Sequence, residues 1–523
     1  MNSKGTSGVE ETPSFTPFQP EEIETLSPPA IPTRLWIAAE VPFKLAEVAR
    51  GSGLELVTDP ADANLLLGMD KSVPAGSITW VYAFVAPFPT QLDGMSLEEI
   101  KRGWAGDASS RLQGVPIWME ASTLAALTNL WGPPNQGLQV KTSGPEDILA
   151  SAWAAQPAFA IIPFEEVEPR WKVLTVDGQS PLRKEFNPET YPLTIYFSLT
   201  GPGRDLIRIN LPVTNLDPAR MTRLVMTGVT AMVRATALKM ENKSRTYPGE
   251  AVHDWLAGAD ITHISNEIPF SNDCPFPDAF NSSLIFCSDP KNIELLEYIG
   301  TDVVELTGNH LQDWGSAATL FTINMYNQRG WPYFGGGINQ ADARKSITIE
   351  HNGNKIAFIG CNPAGPVYAW ATETEPGAAS CDWDFMTAEV KRLRAEGILP
   401  IVTFQYYEGY SAWPDQKQVD DFRKMADAGA VIVSGSQAHY PMTMEFHESA
   451  FIHYGLGNLF FDQMDYPVVG TRREFIDRHI FYNGKYINTE LLTAMLEDYA
   501  RPRPMTEEER RLFLGELFDA SGW

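Results

Sequence analysis

Short runs of apolar, β-branched and aromatic residues recur from Leu35 to Gly457, and amphipathic segments of helical period fill most of the gaps between them. In the first half the predicted strands are LWIAAE (35–40), ANLLLG (63–68), ITWVYAFVAP (78–87), AFAIIP (158–163), WKVLTV (171–176) and TIYFSL (194–199). They alternate with helical stretches such as SLEEIKRGWAG and EDILASAWAA. This alternation predicts an α/β domain with a largely parallel sheet over 34–215. Ser96 followed by Glu98 and Glu99 reads as a helix start, a hydroxyl cap with carboxylates against the positive end of the dipole.

After Gly201-Pro202-Gly203 and Leu216-Asp217-Pro218 the alternation resumes, which places a domain boundary between 200 and 221. The next strands are RLVMTGV (223–229), DITHISNE (260–267), TDVVELTG (301–308), KIAFIGC (355–361), LPIVTFQY (399–406), AVIVSGS (430–436) and AFIHYGLG (450–457). Helices ELLEYIG and KQVDDFRKMADAG each end at a glycine, as a C-terminal cap should. The pattern predicts a second α/β domain over 221–480 and a tail over 481–523 with a helix near Thr506 to Phe518. Residues 1–33, rich in Pro, Thr, Ser and Glu, read as a disordered tether.

Composition narrows the function classes. A chain of 523 residues implies two to four domains. Sixty-six acidic against 40 basic residues give a formal charge of −26, which repels nucleic acid and anionic headgroups. No run of about eighteen apolar residues predicts a transmembrane helix. Cys274, Cys287, Cys361 and Cys381 fall in two successive pairs that close short loops, so two bridges and an oxidising compartment stand against four buried thiols. The tether suits either a plain disordered tail or a surface protein anchored just upstream of the first residue shown.

Polar residues gather where the second set of strands ends. The run Thr301–Leu306 stops in Gly308-Asn309-His310, Asn266 and Glu267 end the strand before it, Gln405 and Glu408 follow another, and His439 follows AVIVSGS. Carboxylate, amide and imidazole at successive strand ends are the materials of a metal or charge-stabilising site. Each has a plainer reading: Asn309 a helix cap, Glu267 a solvated strand end, His439 a packed turn residue, Gln405 hydrogen-bonded structure. Asp313 is either a helix-start carboxylate or the group that orients His310. Tyr406, Tyr407, Tyr410 and Trp413 either line a groove or fill a core. His263, His351, His447, His453 and His479 read as structural.

Two resemblances follow from quoted motifs. The stretch 81–107, with Gly94, Ser96-Leu97-Glu98-Glu99-Ile100, Trp104 and Gly106, resembles the phosphate-type substrate-binding proteins of bacterial ABC transporters. The stretch 160–198, with Val176-Asp177-Gly178 and Tyr191-Pro192-Leu193, is similar to the same family. The segment 221–462 resembles the CapA family of poly-γ-glutamate capsule proteins, whose fold is related to calcineurin-like metallophosphatases. It does so through SNE (265–267), GNHLQDWG (308–315), YFGGGINQADAR (333–344), QYYEGY (405–410), DAGAVIVSGSQAH (427–439) and HYGLGNLFFD (453–462). It departs from that family where Gly228-Val229-Thr230 lacks the usual aspartate, where Gln405 stands for a histidine, and where Ser436-Gln437 lacks another.

The second resemblance implies a metallophosphatase-type α/β sandwich. It also implies a role in the synthesis or processing of poly-γ-glutamate or another polyanionic envelope polymer, or of a small anion, in an extracytoplasmic bacterial compartment. The expected metal ligands are Glu267, Asn309 and His439 with Gln405, enough for one Mn²⁺ or Zn²⁺ ion. His310, Asp313 and Glu408 are the expected catalytic groups. The competing expectation is a degenerate binding protein that kept the fold and lost the metal chemistry.

Overall fold

The computed structural model describes residues 34–523 apart from 72–75, 203 and 205–208, together with residues 1, 2, 5 and 8. Of the tether expected over 1–33, all but residues 1, 2, 5 and 8 lies outside the described residues. Among those described, no helix is long and apolar enough to cross a membrane.

The first domain is built around the ten-residue strand Ile78–Pro87, whose run of apolar residues is almost wholly buried. Its neighbours Thr194–Thr200, Phe159–Pro163 and Trp171–Val176 all run antiparallel to it. Parallel pairing is confined to flanking strands such as Arg34–Ile37 with Leu65–Met69 and Ile117–Met119 with Phe159–Pro163. The sheet is therefore mixed rather than largely parallel. A strand covered on both faces shows the same apolar run whichever way its neighbours point, so the pattern predicts burial and not direction. Ser96 caps the helix Leu97–Trp104 by accepting from the Glu99 amide.

The second domain has two main sheets beside a small pair, Gly336–Gly337 with Gly377–Ala378. One orders the strands Tyr333–Phe334, Val303–Glu305, Ile261–Asn266, Met221–Thr227, Arg473–Tyr482, Lys485–Glu497 and Arg501–Pro504. The other orders Ile347–His351, Asn354–Cys361, Leu399–Phe404, Ile432–Ser434, Ala450–His453 and Met444–His447. Apolar side chains from both, including Leu224, Met226, Val303, Phe358, Ile401, Phe451 and Phe475, meet in one core between them. Helices cover the outer faces: Met240, Leu296 and Tyr326 pack on the first sheet, Val390, Phe422 and Met425 on the second. Helix, sheet, sheet and helix layers make this a four-layer α/β sandwich, the layering that the metallophosphatase resemblance implies.

The expected tail from 481 is instead part of this sandwich. Arg473–Tyr482 pairs along its length with both Met221–Thr227 and Lys485–Glu497, and Arg501–Pro504 extends the sheet. The pattern hides this because Lys485–Glu497 carries charge into the interior: Glu490 is buried between Arg183 and Arg478. The helix Glu507–Ala520 begins with a capping box between Thr506 and Glu509 and packs Phe513, Leu514 and Leu517 into the core between the sheets.

The domains are closely joined. Phe88 of the first contacts Phe446, Phe518 and Trp523 of the second at ring distances of 5.1, 6.3 and 5.7 Å. Asp93 meets Arg510 and Lys172, each at 2.7 Å. The buried Arg223 donates to the backbone carbonyls of Leu182 and Arg183. Both disulfides, Cys274–Cys287 and Cys361–Cys381, are formed.

Candidate functional site

The parallel strands of both sheets end on one side, and their following turns converge there. Gly308 allows one close approach: a Cβ at this position would lie 2.7 Å from the Cα of Glu267, so only glycine lets the Asn309-His310 turn lie against the Glu267 backbone. Asn309 caps no helix, since the next one begins at Gly315 behind Trp314. Its Oδ1 is buried and has no hydrogen-bond partner.

Glu267 is fully buried, and neither carboxylate oxygen accepts a hydrogen bond. Burial pushes its pKa up, against the pull of His439 and His310. His439 Nε2 lies 3.8 Å from Glu267 and 3.6 Å from Glu408. Its Nδ1 meets Asn458 Oδ1 at 2.8 Å, and because Asn458 Nδ2 donates to backbone carbonyls, that oxygen accepts and Nδ1 carries the proton. Nε2 is thereby aimed at the two carboxylates. Burial alone would lower the His439 pKa, but Glu267 and Glu408 outweigh it and push it up to about 9.

His310 is held from behind. Its Nδ1 lies 2.6 Å from Asp313 Oδ2, which also accepts from the Phe286 amide, and the ring packs on Phe286 at 4.7 Å. Burial works against protonation here too, yet Asp313 and Glu267 raise the pKa above that of free imidazole. Glu408 is half exposed at the mouth, with its pKa lowered chiefly by the His439 hydrogen bond. Gln405 is buried; its Nε2 donates to the Tyr406 carbonyl, and its Oε1 has no partner.

All seven residues singled out by sequence thus lie at the same strand ends. The aromatics divide: Tyr406 is buried in the core, while Tyr407 and Trp413 are exposed. Sequence reasoning missed Asn458, which fixes the His439 tautomer, although it sits in the GLGN turn of the last matching motif. It also missed the buried set beneath the site, in which Glu305 takes hydrogen bonds from His263 at 3.1 Å, Thr307 at 2.6 Å and Ser436 at 2.5 Å. His263 and Glu305 are 42 residues apart, and no local pattern joins them. His453 likewise pairs with Asp477 between the sheets, away from the site.

The family described as "Bacterial capsule synthesis protein PGA_cap" matches residues 223–463. Over these residues the chain is similar to that family. The matched segment contains all seven candidate residues. A curated relative, the capsule biosynthesis protein CapA of Bacillus anthracis, is 24% identical over 257 residues. That match covers 48% of this chain and 62% of that protein, so the chain spans somewhat less than two thirds of its relative's length. Among solved structures, the NAD nucleotidase of Haemophilus influenzae is 12% identical with a TM-score of 0.32, covering 57% of this chain and 56% of the other. An ABC-type phosphate transport receptor from Vibrio cholerae is 14% identical with a TM-score of 0.26, covering 32% and 85%.

Whether the strand-end residues suit a metal ion is a question of donors. Among the described residues, no three His, Cys, Asp or Glu side chains are grouped to hold one. The donors without partners are of mixed type: both Glu267 oxygens, Asn309 Oδ1 and Gln405 Oε1, with His439 Nε2 presented by Asn458. Buried oxygens without hydrogen bonds are costly, and a cation is one kind of partner that such oxygens accept. One carboxylate, one or two amide oxygens and one imidazole fit a single divalent ion of borderline softness.

Proposed function

We propose that the protein takes part in making or processing an anionic envelope polymer of the poly-γ-glutamate class, and that the strand-end site of the second domain is where the polymer or its precursor is handled. The family match and the capsule-protein relative support the pathway. The observation that carries the site is Glu267, a buried carboxylate with both oxygens unpartnered beside an oriented imidazole. Glu267, Asn309 and His439, with Gln405 beside them, would hold one Mn²⁺ or Zn²⁺ ion, which when bound supplies positive charge to polarise a substrate oxygen. His310, fixed by Asp313, is placed to hold or deliver a proton at its Nε2, and Glu408 at the mouth meets the arriving ligand. Two disulfides support an extracytoplasmic compartment, and an anchor upstream of the tether belongs to the same proposal.

A second reading, a binding protein without turnover, is favoured by Val229 and Gln405, which stand where the resembling family carries an aspartate and a histidine. Metal analysis of protein purified without chelator, beside His439→Ala, separates the two. One equivalent that disappears in the variant supports the mononuclear site. Two equivalents would require ligands beyond this set, and none in either protein leaves the binding reading.

A further inference from the structure

Next to this acidic site stands a cation whose backbone is strained. Arg234 opens the helix Arg234–Asn242 with φ +43°, a left-handed conformation that costs a non-glycine residue on the order of 1 kcal/mol or more. The surroundings enforce it. Asp462 accepts from Nε at 3.2 Å, from Nη2 at 2.5 Å and from the Ala235 amide at 3.0 Å. The guanidinium carbon lies 5.2 Å from the Phe286 ring and 5.0 Å from the Phe461 ring. Each of those rings packs in turn on one site imidazole, Phe286 on His310 at 4.7 Å and Phe461 on His439 at 5.1 Å. Arg234 is thus one aromatic ring away from both histidines.

The guanidinium is still only half engaged. Among the described residues Asp462 is its one hydrogen-bonding partner, so Nη1 is uncommitted, and the side chain keeps 19% of its surface exposed. A structural cation–π pillar needs neither an open donor edge nor a strained backbone.

We propose that Arg234 forms an oxyanion subsite beside the Glu267, Asn309 and His439 cluster, receiving a carboxylate or phosphate group of the ligand on the edge of its guanidinium turned away from Asp462. An arginine clamped in a plane by two rings presents parallel N–H donors that match such a group. In a protein of net charge −26 this subsite gives an anionic ligand a local reason to settle here. The inference rests on the polymer reading and deepens it, by assigning the group that tells a free α-carboxylate from a neutral side group.

The test is calorimetric titration of the full chain with a γ-glutamyl oligomer, its α-amidated neutral counterpart and inorganic phosphate, using wild type, Arg234→Lys and His439→Ala. Wild type should bind the charged oligomer at least about tenfold more tightly than the amidated one, the worth of one charge-assisted bidentate contact. Arg234→Lys should erase that preference while leaving affinity for the amidated oligomer unchanged, and His439→Ala should weaken both oligomers. Phosphate competing with the charged oligomer in wild type alone would assign the subsite to any oxyanion; failure to compete would assign it to carboxylate. A preference retained in Arg234→Lys overturns this subsite and leaves the polymer reading intact, whereas a wild type that binds none of the probes overturns both. If Arg234→Lys does not fold, Asp462→Asn, which keeps the cation and loosens its clamp, should reduce the same preference, and an unchanged ratio there counts against the proposal.

Discussion

Glu267→Gln separates a ligand role from a structural one. Moving a carboxylate into the interior costs several kcal/mol. His439 at 3.8 Å returns roughly 4 kcal/mol of that at an effective dielectric constant of about 20. The pair is therefore near balance, and its net effect on the metal-free protein is small. In Glu267→Gln both terms vanish together, while Glu408, 3.6 Å from His439 Nε2, remains as a counter-charge to the imidazole. The metal-free variant should accordingly lie within about 1 kcal/mol of wild type in a urea melt at pH 8. Adding Mn²⁺ at about a hundred times its Kd should stabilise wild type by roughly 2.7 kcal/mol, and the variant by nothing measurable. The assay is paired melts with and without metal. A variant that gains as much as wild type refutes Glu267 as a ligand. A metal-free variant weakened by about 3–5 kcal/mol shows instead that Glu267 and His439 form a structural ion pair.

His479 is buried and its pKa falls to about 4, chiefly through burial, so the native state holds it neutral while the unfolded chain protonates it below pH 6.5. Stability is then complete above that pH and declines as pH falls toward 4; between pH 7 and 4.5 wild type should lose about 2–3 kcal/mol more than His479→Gln in urea melts, and equal slopes would refute the assignment. Thiol titration of the unfolded, unreduced chain should find no free cysteine, and removing the Cys274–Cys287 bridge should cost about 3 kcal/mol for a loop of this length, whereas four titratable thiols would exclude both bridges. Limited proteolysis should cut between 200 and 220, yet the fragments should elute together on native gel filtration through the Phe88 and Asp93 contacts and part only in denaturant; fragments that part without it would show those contacts to be weak.

The strands of both domains were legible as apolar runs, and the site as polar residues at their ends, because both signals are local. Direction and partnership were not. Ile78–Pro87 looks the same in a parallel or an antiparallel setting, and its three antiparallel neighbours come from residues 159–200. Lys485–Glu497 escaped notice because Glu490 is neutralised by Arg183, some three hundred residues earlier. The same applies to the side chains that support the site. Asn458 behind His439 and Asp462 behind Arg234 act across distances in sequence at which periodicity carries no information.

Arg473–Tyr482 fills the slot between Met221–Thr227 and Lys485–Glu497, about 250 residues after its first partner. During synthesis the sheet carrying Glu267 and Asn309 therefore waits with an open edge until this late strand arrives. Non-local closure of this kind is slow and leaves the waiting edge available to other chains. Fragments ending before residue 473 should therefore aggregate rather than yield a smaller working domain, and the site should be among the last parts of the molecule to take shape.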